Sequence, residues 1–203
     1  MHPGYFLAAA LVAIEAGILA WAASPDVDPA YRAVYIDHTA NCYPVEVSGE
    51  YELGSTVSFA QYGSSRFRDT ITRCGWRDPA RDGSWSDGEV SMFRFRLDPA
   101  PTDLALDLVV WPYIVDGLVE SQRIVISVNE QPLSVMHLDR DTLPYRRVVI
   151  PRAAARPREG VIEIAFDYPD ARSPSELGLF EDRYRYAAFL HSVRFDRIYP
   201  PPR

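Results

Sequence analysis

Two hydrophobic periods divide this chain. Tyr5 to Ala23 is one apolar run, YFLAAALVAIEAGILAWAA, broken by a single charge at Glu15. As a helix rising about 1.5 Å per residue it extends roughly 28 Å, close to a bilayer's hydrocarbon thickness of about 30 Å. Beyond it, apolar residues return at every second position in short stretches, the pattern of strands with one buried face. Val57 and Phe59 share a face in Ser55 to Ala60, and Phe93, Phe95 and Leu97 lie opposite Arg94 and Arg96 in Val90 to Leu97. Leu104, Leu106, Leu108 and Val110 do the same in Asp103 to Trp111, as do Ile124, Ile126 and Val128 in Arg123 to Asn129. Ile162, Ile164 and Phe166 line one side of Gly160 to Phe166, while Val135 to Leu138 and Val148 to Ile150 are shorter runs. In the last stretch, Ala187 to Ile198, strict alternation puts Phe189, His191, Val193 and Phe195 together and Leu190 on the other side.

Turn-forming clusters separate these runs, among them Asp98-Pro99-Ala100-Pro101, Asn129-Glu130-Gln131-Pro132 and Tyr168-Pro169-Asp170. Short, regularly spaced strands with such punctuation predict an all-β, jelly-roll-like antiparallel β-sandwich preceded by one N-terminal transmembrane helix. The expected organisation is an anchor or signal segment over 1–23, a juxtamembrane linker and entry over 24–53, and one sandwich domain over 54–203. The 17 prolines and 11 glycines, spread along the chain, suit many turns better than long helices.

The first segment reads in two ways. Ala20-Trp21-Ala22 fits a small-x-small cleavage site, yet no Lys or Arg precedes the apolar run, as a secretory signal would normally show. Retained, the run is a single-pass anchor in which Glu15 is the residue of interest. A carboxylate near the bilayer centre costs about 2.5–3.5 kcal/mol on insertion scales and is usually turned toward another protein. Ala8, Ala9, Ala13 and Gly17 supply a small-residue face for helix packing. Glu15 is therefore the expected docking residue for an integral membrane complex, unless the segment is removed. Both readings send the remainder out of the cytoplasm.

Charge and cysteine content narrow the partners. With 28 acidic residues against 21 basic ones and a net charge of −7, the chain does not suit a nucleic-acid polyanion. Its two cysteines, Cys42 and Cys74, read most economically as one disulfide in an oxidising compartment, worth roughly 4 kcal/mol in the chain-entropy account. Two cysteines and scattered histidines do not make a metal site. His137 and His191 fall on strands and read as packed or interface histidines, and His38 has no carboxylate or serine near it in sequence.

Two segments depart from the strand pattern. The first is Gly75-Trp76-Arg77-Asp78-Pro79 followed by Gly83-Ser84-Trp85-Ser86-Asp87-Gly88. The second is Ser173-Pro174-Ser175-Glu176-Leu177-Gly178-Leu179 with Asp182-Arg183. With Val128-Asn129 between them, they resemble the β-sandwich domain attached to bacterial membrane glycosyltransferases and other envelope polysaccharide proteins. The resemblance spans roughly Gly54 to Tyr199 and implies a carbohydrate-binding type of jelly roll, accessory to an enzyme. Read from the residues alone, Trp76 and Trp85 are either sugar-stacking indoles or plugs that hold a loop to the sandwich edge. Asp78, Asp82 and Asp87 have oxygens suited to sugar hydroxyls, to a structural Ca²⁺, or to Asx turns, with Gly83 and Gly88 supplying positive φ. Glu176, Asp182 and Arg183 form a candidate charge network that fixes the second loop.

No G-x-S-x-G, H-E-x-x-H or clustered His/Asp/Glu arrangement points to catalysis. The sequence therefore leads to a non-catalytic, cofactor-free accessory subunit of a larger membrane complex. It is expected in the bacterial inner membrane, N-in, with its β-domain in the periplasm or outside the cell. The alternative is a carbohydrate-binding accessory module in envelope polysaccharide assembly.

Overall fold

The computed structural model describes residues 11–19, 27–36, 42, 47, 50–61, 71–97, 102–156 and 160–198. Residues 11–19 are helical and every one of their side chains is exposed. The rest of the expected anchor lies outside the described residues. Among the described residues no helix is long and apolar enough to cross a membrane. A short helix, Pro29–Tyr35, falls in the expected linker, where Asp28 caps it by accepting from the Ala30 and Tyr31 amides at 2.8 and 3.2 Å.

The remainder is β. In chain order the strands are β1 Thr56–Ser58, β2 Thr72–Cys74, β3 Ser84–Trp85, β4 Val90–Arg96, β5 Leu104–Pro112, β6 Ser121–Val128, β7 Gln131–Asp139, β8 Tyr145–Ile150, β9 Val161–Asp167 and β10 Ala188–Arg197. They form two antiparallel sheets, one ordered β2-β4-β9-β6-β7, the other β1-β10-β5-β8 with β3 also paired to β10. The inward residues of both sheets meet in one core containing Phe59, Phe93, Phe95, Phe166 and Phe195. This is a β-sandwich, and each inward set expected in β1, β4, β5, β6 and β9 is buried. The short strands β2 and β3 lie where no alternating run stands, because two or three residues are too few to show a period.

The inward set of β10 differs from the expectation. The pairing with β5 runs Leu190↔Val110 and then Ser192↔Val109, so His191 is an extra residue in a β-bulge. Leu190, Val193 and Phe195 are buried, whereas Phe189 and His191 turn to the outer face. A period-two reading cannot register one inserted residue, which moves every side chain on one side of it to the other face.

Two further features tie the ends of the fold together. Val47 and Tyr51, both in the expected linker, are buried. The Tyr51 ring packs at 5.3 Å on both Phe95 and Phe195, its hydroxyl donates to the Ser55 carbonyl, and it accepts from the Phe195 amide at 3.1 Å. Burial pushes that phenol up to about 12. In the β6–β7 hairpin Asn129 and Glu130 have φ of 48° and 68°, as a two-residue type I′ turn requires. The Asn129 amide group donates to Ala154 and Arg156 carbonyls at 2.9 and 3.0 Å and accepts from the Glu163 amide at 3.0 Å.

Replacing Tyr51 by Phe keeps the ring but leaves the Phe195 amide without its acceptor. The expected cost is about 1–3 kcal/mol, read as a lower denaturant midpoint at unchanged m-value.

Candidate functional site

The two loops singled out in the sequence are built on the β10 side of the sandwich. Trp76 lies on Phe93, with ring centroids 5.4 Å apart and planes 4° from parallel, and it also meets Phe59 and Phe166 at 5.5 and 6.2 Å. It plugs the core edge. Gly75 (φ +70°) cannot be replaced there, because an added Cβ would lie 2.2 Å from the Val90 carbonyl oxygen. Gly88 has the expected positive φ of 90°. Gly83 does not. It is required instead by close approach, since a Cβ would sit 2.5 Å from the Leu190 carbonyl oxygen. Buried Ser86 accepts from the Ala187 and Ala188 amides at 2.9 and 3.1 Å, fastening the loop to the start of β10.

Of the three loop aspartates, Asp78 and Asp82 are exposed. The Asp82 carbonyl faces His191 Nδ1 at 2.6 Å. Asp87 is half-buried beside Arg77 at 4.0 Å. Burial raises its carboxyl above the usual value, the Arg77 charge opposes the rise and Asp182 adds to it. Among the described residues no group of three or more His, Cys, Asp or Glu could hold a metal ion. Cys42 and Cys74 are joined by a disulfide, with Cα atoms 5.1 Å apart.

The second loop is fixed by Glu176 and Asp182 of the expected network, with a different cation. Glu176 accepts from the Ser173 amide at 2.9 Å while its own amide donates to Ser173 Oγ at 3.1 Å. The cation that reaches it is Arg185, at 3.6 Å, rather than Arg183, which is exposed. Asp182 accepts from the Tyr184 amide at 2.9 Å and the Tyr186 hydroxyl at 2.8 Å. Glu15 is an exposed residue of the helical stretch 11–19.

What the loops frame is an aromatic row on the outer face of the β3-β10-β5 strands. Phe189 on β10 stands between Trp85 on β3 and Trp111 on β5, its direct cross-strand neighbours. The ring centroids are 4.9 and 6.3 Å apart. Tyr113 and Tyr186 back Trp85 at 5.8 and 5.5 Å, and His191 stands edge-on to Trp111 at 6.3 Å. Trp111 is the open end of the row, 40% exposed. Trp85 is therefore part of a surface aromatic array, and Trp76 is part of the core. Trp111 belongs to no motif, yet its direction is legible in the strand pattern. Leu104 to Val110 fix one face inward, so residue 111 must point outward.

Along the same face lies a cleft of about 340 Å³ lined by Thr56, Asp107, Val109, Tyr145, Arg147, Ser192, Arg194 and Asp196. Arg147 clamps Asp107 through two hydrogen bonds of 2.6 and 2.7 Å, and Tyr145 lines the cleft beside the same carboxylate. Arg194 bonds Asp196 at 2.8 and 3.0 Å. The Arg147 bonds hold the Asp107 carboxyl below the usual carboxylate range.

No known protein-family profile matches the chain. No curated protein matches its sequence. Among solved structures, a family GH115 4-O-methyl-alpha-glucuronidase with specificity for decorated arabinogalactans aligns at 11% identity and TM-score 0.43, over 77% of this chain. The chain spans only 19% of that enzyme's length. The carbohydrate-binding module CBM36, solved with calcium and xylotriose, aligns at 9% identity and TM-score 0.37, covering 70% of this chain and 99% of the module. A family 35 carbohydrate-binding module from an environmental isolate aligns at 10% identity and TM-score 0.34, covering 77% and 92%. At these scores the reading of the site rests on its own geometry.

Because the folded-state pKa of Asp107 is depressed, its stabilising contribution is present above the unfolded value of about 3.9 and is lost as pH falls through the folded one. Asp107→Asn is expected to lower stability at pH 7 by about 1–2 kcal/mol, moderated by the half-exposed Arg147. Calorimetric Tm values of the two proteins should converge as pH falls below about 4.

Proposed function

We propose that this chain is a non-catalytic glycan-binding β-sandwich, an accessory module for polysaccharide assembly outside the cytoplasm. The observation that carries the reading is the Trp85–Phe189–Trp111 row on an open sheet face, ending in an exposed indole. An indole face offers apolar area to the C–H surface of a sugar ring, while neighbouring polar groups take the hydroxyls. The surroundings support binding rather than chemistry. His191 Nδ1 is engaged by the Asp82 backbone carbonyl, and Asp87 is held beside Arg77. The disulfide fits an oxidising compartment.

A second reading, docking on a membrane protein, is favoured by residues 11–19. Leu11, Val12, Ile14, Ile18 and Leu19 are between 54% and 69% exposed, an apolar surface that calls for lipid or a protein partner. Native-size analysis of the full-length chain extracted in mild detergent tests it. A complex that survives Glu15→Gln but dissociates on deletion of 1–23 would assign docking to the helix as a whole, and a monomeric extract would overturn the reading.

For the glycan reading, Trp111→Ala is expected to weaken oligosaccharide affinity at least about tenfold in isothermal titration, the loss of a platform worth roughly 1–2 kcal/mol. Its Tm should stay close to that of the parent, since the side chain lies outside the core. Unchanged affinity would overturn the assignment of the platform.

A further inference from the structure

Polar and charged side chains make up most of the lining of the cleft beside the aromatic row, and the two ion pairs hold it in place. Trp111, Val109 and Asp107 alternate with the buried Leu108 and Val110, so all three point to the same outer face of β5. Four residues along a strand correspond to about 14 Å. On β10 the bulge brings Ser192, Arg194 and Asp196 to that same face, opposite Val109, Asp107 and Ala105 respectively. The aromatic row and the cleft are thus the two ends of one track along β5 and β10.

The charges in the cleft select what lies there. Asp107 and Asp196 face Arg147 and Arg194, two of each sign, and each guanidinium is already bonded to a carboxylate. An anionic ligand would have to displace Asp107 from a bidentate clamp of 2.6 and 2.7 Å and would meet the repulsion of both carboxylates. A hydroxyl has no such conflict, because it donates to a carboxylate and accepts from a guanidinium at once. The hydroxyl groups of Thr56, Tyr145 and Ser192 extend this mixed lining, and Val109 gives it an apolar floor. The volume of about 340 Å³ falls in the range of small-ligand sites.

We infer that this cleft is a second sugar subsite, which takes the hydroxyl groups of a neutral oligosaccharide whose other end stacks on Trp111. The inference rests on the glycan-binding reading and deepens it, since it names the class of sugar and the line along β5 and β10 that the chain follows. It requires a ligand several sugar units long, because a disaccharide cannot span both ends of the track.

The test is calorimetric titration of the full-length chain with xylo-, cello- and mannohexaose, with the matching disaccharides, and with hexagalacturonate. The variants are Trp111→Ala, Arg194→Gln and Ser192→Phe, the last filling the cleft from its rim. The expected result is binding of a neutral hexasaccharide that falls about tenfold in Arg194→Gln and further in Ser192→Phe. Any binding of the disaccharide should be unaffected by these two variants and sensitive to Trp111→Ala. Loss of hexasaccharide binding in Trp111→Ala alone, with both cleft variants silent, would overturn the second subsite and leave the glycan reading standing. Tighter binding of hexagalacturonate than of every neutral hexasaccharide would overturn the assignment to neutral sugars. Failure of the parent chain to bind any of them would remove the glycan reading and this inference together. Circular dichroism and Tm of each variant confirm that the fold persists.

Discussion

The single inserted residue in β10 governs the surface of this molecule. β10 is hydrogen-bonded to β1, β3 and β5, so its register decides which side chains of a whole sheet face water. Without the bulge, one side of the strand could not place Leu190, Val193 and Phe195 in the core and also keep Phe189, Arg194 and Asp196 outside. The extra residue is held from both sides. Its carbonyl accepts from the Phe59 amide at 2.8 Å, and its ring bonds the Asp82 carbonyl. The Gly83 turn, pressed onto Leu190 and Phe189, closes the same corner. Core packing and the outward aromatic row are therefore one constraint seen from two faces.

The sandwich was legible in the sequence wherever a strand ran long enough to repeat. In β4, β6 and β9 the alternating residues are the buried ones, because the pleat gives each side chain one face and hydrophobic burial chooses it, and in β5 Ala105 and Asp107 on the other face are buried as well. β10 was misread for the same reason, since alternation assumes no insertion. The charge network of the second loop was half legible. Glu176, named for that network in the sequence, does fix the loop, through reciprocal hydrogen bonds with Ser173. Its cation was not legible, because whether Arg183 or Arg185 turns inward depends on the local path of an irregular segment.

The tryptophans show how little a residue type says without its direction. Trp76 and Trp85 flank the same loop, yet one stacks flat on Phe93 in the core and the other joins an outer array. The third, Trp111, belongs to no motif and lies at the end of a regular strand, where a rigid β-sheet fixes its position better than a loop would. Asp107, on the same strand, is buried beside Ala105 on the outward side, and the Arg147 clamp offsets the cost of burying its charge. The outward aromatic row is set by the sheet, and the loops close its end.

The bridge between Cys42 and Cys74 has a mechanical meaning as well. It joins a residue on the N-terminal side of the sandwich directly to the end of β2, a strand at the edge of its sheet, 32 positions along the chain. Tension applied from the N-terminal side reaches β2 through sulfur and takes up none of the enclosed length as slack. The load then falls across the β2–β4 ladder, where Thr72, Arg73 and Cys74 pair with Arg94, Phe93 and Met92. A pull from that side would thus be met first at β2, ahead of the residues enclosed between the two cysteines.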